Sequence, residues 1–267
     1  MENRLRYFVA KYCPRILQSL VYNALYRRLG DSYALNPNDF LNKSVLVIGP
    51  AASAHLDLQA LDVAGFDIIV KMNNAIHTEI NGQVSNPLRC DVLFHSFRGA
   101  TKPVTAEDLR VAGVKTIVHR TLKRRAFLAT LQLEEKFRSV AQMRIVPVHK
   151  YVTVSKQLAG HAASTGMICA EFFLHAPVSR LALVGFTFFS TRYVNGYDDT
   201  IVSDEIALAR IETIDYHSPV HEARLMYELI AKAQLAGKNI YISETMQQAM
   251  DFMRLRDPNK PAKDKDI

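Results

Sequence analysis

A histidine and a glutamate stand close together at the start of a predicted helix. In YHSPVHEARLMYE (216–228), His217 precedes Pro219 by two positions and Glu222 follows the histidine by five. An imidazole titrates near neutral pH and can take a proton from an attacking hydroxyl group, which is the role of a general base. His221 is the alternative base, although a residue in the first helical turn more often faces solvent or caps the turn. A lone histidine is usually structural, so this motif predicts little by itself.

A second group of polar residues precedes the most apolar predicted helix. The segment HAASTGMICAEFFLHA (161–176) places Ser164, Thr165 and Gly166 directly before that helix. A serine or threonine at this position can cap the helix by accepting a hydrogen bond from its first turn. The same geometry directs helix N–H groups at an anion, which the phosphate of a substrate would supply. The two roles are compatible, and the sequence leaves both open.

A glycine turn follows the first predicted strand. In VLVIGPAASAHL (45–56), the strand ends in small residues that include Gly49 and Ser53, so backbone amides can approach a phosphate or a nucleotide. The further glycines of a dinucleotide fingerprint and the G-K-[ST] of a P-loop are missing. A plain strand–helix turn is therefore the alternative interpretation.

Paired asparagines follow the second predicted strand. In VKMNNAIH (70–77), Asn73 and Asn74 offer amide donors and carbonyl acceptors that can bind a base or a ribose. Asparagines after a strand are also common turn formers, so a structural role is equally open.

These residues need a scaffold that brings strand ends together, and the apolar pattern predicts one. Short β-branched runs, typical of buried parallel strands, alternate with segments of helical periodicity. The predicted strands are 44–48, 67–71, 91–94, 115–118, 144–148, 181–184 and 239–242. The predicted helices are 55–63, 105–112, 122–138, 165–176, 220–236 and 245–255. The alternation predicts an α/β fold: a single Rossmann-like domain with a mostly parallel sheet flanked by helices, whose ligands bind at the carboxyl ends of the strands.

The stretch 187–216 carries no predicted strand and is rich in turn-forming residues. This composition favours a mobile lid loop over a site, with an ordinary surface excursion as the alternative. Asp198 and Asp199 could bind a cation, but adjacent carboxylates in a loop are more often solvated. We therefore expect no metal site and no metal requirement.

Composition bounds the class of protein. The chain of 267 residues can bury one substantial core, and it contains no apolar run long enough to span a membrane. Because residues 1–28 lack a short apolar stretch with a small-residue cleavage site, we expect no secretory signal. Three scattered cysteines (Cys13, Cys90 and Cys169) predict neither a disulfide framework nor a zinc site, which favours a reducing cytoplasm. The predicted main domain covers 41–256, and the charged, proline-containing segment 257–267 predicts a disordered tail.

The net charge of +7 is concentrated at the N-terminus. The first part of the segment 1–40, residues 1–28, holds six basic side chains and one acidic one. Apolar residues recur there at helical spacing: Leu5, Phe8, Val9, Tyr12, Ile16 and Leu20. Such a basic amphipathic helix can lie on an anionic membrane surface. The alternative is a helix, kinked at Pro14, that packs on its own domain or on a partner.

The order and spacing of these phrases resemble the sialyltransferases, both the animal sialylmotif enzymes and the bacterial single-domain ones. VLVIGPAA and KMNNAI resemble the start and a later phrase of the large motif, and ASTGM followed by LVGF resembles the small motif. His217 and Glu222 match the H-x4-E of the last motif. The matches cover residues 45–222, about two thirds of the chain.

The resemblance implies a role for each matching residue. Asn73, with Asn74, Gly49, Ser53 and Thr187, would contact a CMP-activated donor. The small-motif residues Ser164, Thr165 and Gly166 would hold its phosphate and carboxylate region. His217 would be the general base of an inverting transfer that needs no metal or other cofactor, and Glu222 belongs to the same catalytic motif.

Two departures from the family's pattern affect the donor site. The glycine turn lacks the family's asparagine, since Pro50 follows Gly49. Phe189 stands where bacterial members carry the first of two tyrosines that stabilise the leaving phosphate. Tyr193, Tyr197 and Arg192 are the candidates to replace that function.

The predicted function is transfer of an acidic sugar (sialic acid, Kdo or a related nonulosonate) from a CMP donor to a cell-surface glycan or glycolipid, such as lipopolysaccharide or capsule, by a bacterial enzyme at the inner face of the inner membrane. Segments 95–103 and 119–125 are the candidates for acceptor specificity. The alternatives are a flagellin-type protein glycosylation factor of related fold and a non-catalytic nucleotide-binding module at a membrane surface. Nucleic-acid binding is not expected, because no basic stripe interleaved with aromatic residues is present. The oligomeric state stays open.

Overall fold

The structure is a computed structural model. It describes residues 12–80, 85–97, 103–194, 198, 200–213 and 216–257. The first eleven residues, Tyr197, Asp199 and most of the predicted tail therefore lie outside the described residues.

A seven-stranded, all-parallel sheet forms the centre of the described chain. The strands are β1 (Ser44–Ile48), β2 (Ile68–Met72), β3 (Val92–His95), β4 (Thr116–His119), β5 (Gln142–Ile145), β6 (Arg180–Val184) and β7 (Ile240–Ile242). Their spatial order is β5-β4-β3-β2-β1-β6-β7. All seven predicted strands are present, and the predicted α/β fold is confirmed. The central strands are buried on both faces, which is why their sequences are continuous β-branched runs.

Helices cover the sheet. They are α1 (Arg15–Tyr33), α2 (Ala54–Gln59), α3 (Ala106–Ala112), α4 (Phe127–Phe137), α5 (Val148–Gln157), α6 (Thr165–His175), α7 (Asp204–Thr213), α8 (Pro219–Leu235) and α9 (Glu244–Leu255). Helix α6 is buried along almost its whole length and packs in the largest core cluster, between the sheet and α8. Smaller clusters fill the space under α3 and α4 and under α2.

Two helices differ from the sequence-based expectation. The strand predicted at 144–148 ends earlier, because Pro147 cannot donate a hydrogen bond to a sheet and stands instead at the N-cap of α5. Helix α5 itself was not predicted, since its valines and threonine have low helix propensity. Helix α7 lies inside the stretch expected to be a loop. It was not predicted because the turn-forming residues before it dominate the composition of that stretch.

The N-terminal helix is held by aromatic contacts in its second half. The rings of Tyr26 and Tyr33 both meet the ring of Phe127 edge-on, and the Tyr26 hydroxyl accepts a hydrogen bond from the backbone N–H of Val148 at 2.9 Å. Pro14 is the N-cap residue of α1, and the kink predicted there stays a prediction because residues 1–11 lie outside the described residues. None of the helices in the described ranges is long and apolar enough to cross a membrane.

The chain reverses its direction across the sheet between β1 and β6. Gly49 and Gly185 follow these neighbouring strands, and a Cβ on Gly49 would lie 2.1 Å from the Gly185 carbonyl oxygen. Glycine is required at position 49 because the two backbones are in contact there. Gly185 itself has φ +69°, in the left-handed region that favours glycine. A doubly wound sheet opens its ligand crevice at such a switch point.

Candidate active site

A cleft of about 310 Å³ opens at the carboxyl ends of the strands. Segments that follow β1, β2, β3, β4 and β6 contribute to its wall, together with the start of α6 and the residues before and within α8. Nine of the predicted site residues line it: Asn73, Asn74, Ser164, Thr165, Gly166, Thr187, Tyr193, His217 and Glu222. Residues from four separate sequence phrases therefore meet in one place.

Three predicted site residues stand outside this lining. Gly49 serves the close contact between β1 and β6, and Ser53 precedes α2 with its hydroxyl buried and without a hydrogen-bond partner among the described residues. The backbone N–H of Arg192 donates to Asp204 at 2.8 Å. Tyr197, another predicted site residue, is not among the described residues.

One ring nitrogen of His217 forms a hydrogen bond with the backbone. Its Nδ1 lies 2.6 Å from the carbonyl oxygen of Ala162. Because a carbonyl oxygen only accepts, Nδ1 must carry the proton, and the neutral ring keeps its lone pair on Nε2. The ring of Phe189 stacks on the imidazole at 5.8 Å, with an angle of 18° between the planes. The tautomer and the ring orientation are therefore both set by the protein.

Burial lowers the pKa of His217 below its usual value. The positive charge of Arg120 and the neighbouring His161 act in the same direction, while the hydrogen bond to Ala162 opposes them. The imidazole is therefore neutral at pH 7, the state that a general base needs. The alternative base, His221, bonds instead to the Ser218 hydroxyl through Nδ1 at 2.6 Å and is not part of the cleft lining described above.

Glu222 is buried and bonds to the start of helix α6. Its two carboxylate oxygens accept hydrogen bonds from the backbone N–H of Ser164 at 2.6 Å and from the Ser164 hydroxyl at 2.7 Å. The distance from Glu222 to Nδ1 of His217 is 4.0 Å, too long for a hydrogen bond. Burial raises the pKa of Glu222 to about 7, against the lowering effects of the Ser164 bonds and of Arg120. Glu222 thus joins α8 to α6 and does not polarise the histidine directly.

Ser164 is the N-cap of α6. Its hydroxyl oxygen accepts a hydrogen bond from the N–H of Met167 at 3.1 Å while its proton goes to Glu222. The capping role left open by the sequence is therefore present. Thr165 and Gly166, in the first turn, also line the cleft. A Cβ on Gly166 would lie 3.2 Å from the Phe186 ring, so the helix packs close to the segment after β6.

Asn73 occupies a strained position between two strand ends. It follows β2 with φ +47°, a left-handed conformation that asparagine tolerates better than most residues. Its side-chain oxygen accepts a hydrogen bond from the N–H of Ser96, which follows β3, at 3.0 Å. This bond fixes the side chain within the cleft lining.

Two phenylalanines of the cleft lining, which follow β6, have an unusual backbone conformation. Phe188 and Phe189 have φ +51° and +65°, which is rare for bulky residues. Strain of this kind is kept where the surrounding structure requires it, often at functional sites. The ring of Phe189, which the resemblance places where bacterial sialyltransferases carry a tyrosine, stacks on the imidazole of His217.

No family model and no curated protein matches the chain. Among solved structures, it is similar to a mammalian sialyltransferase in complex with Gal-beta-1-3GalNAc-ortho-nitrophenol, with 12 % identity, a TM-score of 0.50, and coverage of 90 % of this chain and 85 % of that one. A second mammalian sialyltransferase structure aligns with 13 % identity, a TM-score of 0.49, and coverage of 90 % and 84 %. The fold is sialyltransferase-like. At this identity the likeness concerns the fold and not the activity.

Within this sialyltransferase-like fold, the cleft also contains residues to which the sequence assigned no individual role. Arg120 and His95 belong to the two segments considered for acceptor specificity, and both line the cleft. Burial, with smaller effects of His119 and His77, lowers the pKa of His95 to about 3. His95 therefore stays neutral at physiological pH. The only signal for both was their position at a strand end.

A metal centre is not found among the described side chains, since no three His, Cys, Asp or Glu groups there are placed to hold an ion. Asp198, considered above as a cation ligand, pairs with Arg210 at 2.9 Å. The expectation that the reaction needs no metal stays a prediction.

Proposed function

We propose that this protein is an inverting glycosyltransferase that moves an acidic sugar from a CMP donor to a hydroxyl group of a glycan or glycolipid. The observation that carries the proposal is the state of His217: neutral, proton on Nδ1, and lone pair on Nε2 in a cleft at the sheet's switch point. The sialyltransferase-like fold supports it, as does the acceptor analogue bound to the mammalian sialyltransferase.

In the proposed reaction, this neutral imidazole activates the acceptor hydroxyl. Nε2 of His217 takes the proton of the acceptor hydroxyl as its oxygen attacks the anomeric carbon of the donor. The bond from that carbon to the phosphate oxygen breaks, and CMP leaves with the electron pair. Attack opposite to the leaving group inverts the anomeric configuration.

The other cleft residues would bind the donor. Asn73 and Asn74 offer amide groups to the nucleotide, and Thr165 and Gly166 present the N-terminus of α6 to its phosphate, where the helix dipole favours negative charge. Tyr193 and Thr187, which also line the cleft, would donate hydrogen bonds to the leaving phosphate or the sugar. We propose that no metal takes part.

A lipid-linked acceptor would place the enzyme at an anionic membrane surface on the cytoplasmic side. Leu17 and Leu20 of α1 are 48 % and 68 % exposed, and Arg27 and Arg28 on the same helix are exposed too. Exposed apolar and basic side chains on one helix support such peripheral contact.

Nucleotide binding in EDTA tests the donor assignment. Calorimetric titration with CMP, CTP, UMP and GDP should give selective binding of CMP, weakened about tenfold in Asn73→Ala by the loss of about one charge-neutral hydrogen bond. The matched control is Asn239→Ala, an exposed asparagine directly before β7 and thus at the opposite end of the sheet. No CMP response, or an equal response to all four nucleotides, would exclude a CMP-sugar donor.

A further inference from the structure

Arg120 brings a positive charge to the side of the cleft where His217 lies. It directly follows β4 and lines the cleft. Its Nη2 donates to the carbonyl oxygen of Ala163 at 2.5 Å, and its guanidinium lies over the ring of Tyr216, 5.9 Å from the centroid. The preceding carbonyl in the chain, that of Ala162, accepts the hydrogen bond from His217. The guanidinium and the base are therefore fixed to the same short segment.

The charge of Arg120 acts on Glu222, whose pKa it lowers, but the carboxylate oxygens of Glu222 are bonded to Ser164 and not to the guanidinium. None of the described carboxylates forms an ion pair with it, although the guanidinium is half-buried. Its Nε is fully buried and finds no hydrogen-bond partner among the described atoms. The contrast is Arg210, the other arginine of the cleft, which pairs with Asp198. A cation removed from water needs an anionic partner, and here the substrate is the group that can supply one.

The position beside the base indicates which anion this is. The base acts on the hydroxyl that attacks the anomeric carbon, so a group near His217 is near that carbon. In 2-ulosonic acids the carboxylate is bonded to the anomeric carbon itself, whereas neutral aldoses carry only a hydrogen there. The planar guanidinium matches a carboxylate in shape and charge.

We propose that Arg120 forms a carboxylate-binding subsite beside His217 and thereby selects acidic donor sugars over neutral ones. This inference rests on the proposed function. It adds the residue that would recognise the charge of the transferred sugar, separately from the nucleotide site around Asn73 and the start of α6.

The experiment compares the affinities of CMP–sialic acid, its methyl ester and CMP by calorimetry without acceptor. In Arg120→Gln, the affinity for CMP–sialic acid should fall about 10- to 100-fold, as expected for loss of a charge-assisted pair, while CMP affinity stays within about twofold. The methyl ester should bind Arg120→Gln and wild type alike, and Arg120→Lys should recover part of the loss. Arg138→Gln, an exposed arginine on the far end of α4, is the control for net charge. Asp215→Asn tests whether a carboxylate of the protein itself, outside the described residues, pairs with Arg120. This variant should leave all three affinities unchanged.

The outcomes separate this inference from the proposed function. If wild type does not bind CMP, the proposed function fails. If wild type binds CMP but Arg120→Gln loses CMP affinity as strongly as CMP–sialic acid affinity, Arg120 contacts the phosphate and the inference is wrong. It is also wrong if Arg120→Gln discriminates between the acid and its methyl ester as wild type does, or if Asp215→Asn changes the donor affinity as much as Arg120→Gln.

Discussion

At the scale of single residues, His217 carries the proposed chemistry through one nitrogen. Replacing it by alanine removes the proton acceptor but leaves the nucleotide end of the cleft intact. We expect kcat for sugar transfer to fall at least about 100-fold, the usual contribution of a general base, with CMP affinity within about twofold of wild type. His221→Ala is the matched control, because that histidine bonds to Ser218 outside the cleft lining. Equal losses in both variants, or an active His217→Ala, would remove His217 from the mechanism.

The pH dependence of the same residue follows from its burial. A base must be unprotonated, so kcat/KM should rise as pH increases through the pKa of His217 and then level off. Because burial lowers that pKa, the plateau should begin below the usual histidine range near pH 6.5. A pH–rate profile measured with saturating donor tests this. A midpoint above that range would mean that another group limits the reaction.

Glu222 makes the free energy of unfolding depend on pH, because its pKa is raised where that of His217 is lowered. Its pKa in the folded protein is about 7, above its ordinary value, so the folded state holds the proton more tightly than the unfolded chain. Its contribution to stability is complete below about pH 4.5 and falls by at most about 3 kcal/mol as pH rises through 7. Urea denaturation across this interval should show a smaller pH dependence for Glu222→Gln than for wild type. An unchanged slope would mean that Glu222 is ionised throughout.

At the scale of elements, the contact between α6 and α8 positions the base relative to the helix start. Ser164→Ala removes the N-cap of α6 and one of the two hydrogen bonds to the buried Glu222. We expect a loss of about 2–3 kcal/mol in unfolding free energy, more than the roughly 1 kcal/mol of a cap alone.

The control for that prediction is Thr105→Ala, which removes an exposed capping box on α3 and no buried partner. A double-mutant cycle of Ser164→Ala with Glu222→Gln should give a coupling of about 1 kcal/mol or more, since the two side chains are bonded. Equal losses for Ser164→Ala and Thr105→Ala, with no coupling, would show that the bond contributes nothing beyond the cap.

The sequence predicted the strands and the buried helices of this molecule because their signals are local. Seven β-branched runs and the apolar helix α6 can each be recognised from neighbouring residues alone. The site was predictable only where a strand or helix end carried a distinctive side chain, as with Asn73, Ser164 and His217. The hydrogen bond between Glu222 and Ser164 was not predictable, because the two residues lie 58 positions apart in the chain. Nor was the environment of Arg120, which depends on how three separate segments pack.

At the scale of the whole molecule, helix α1 is the element that we propose contacts a membrane surface. Its second half is fixed to the domain by Tyr26 and Tyr33, so the exposed Leu17 and Leu20 near its beginning are held on a rigid support. Binding to a surface would bury these leucines without unfolding the domain.

Co-sedimentation with vesicles of phosphatidylglycerol and phosphatidylcholine tests this contact. The full chain should bind vesicles that contain the anionic lipid, bind pure phosphatidylcholine at least about tenfold more weakly, and be released by salt, because the exposed arginines act through screened charge. Leu17→Gln with Leu20→Gln should weaken binding about 30-fold or more at unchanged net charge, since each leucine contributes about 1 kcal/mol or more by burial of its apolar side chain. Leu56→Gln, an equally exposed leucine on α2, should have no effect. If binding depends neither on lipid charge nor on the two leucines, α1 only packs on its own domain. That result would favour a soluble acceptor over a lipid-linked one.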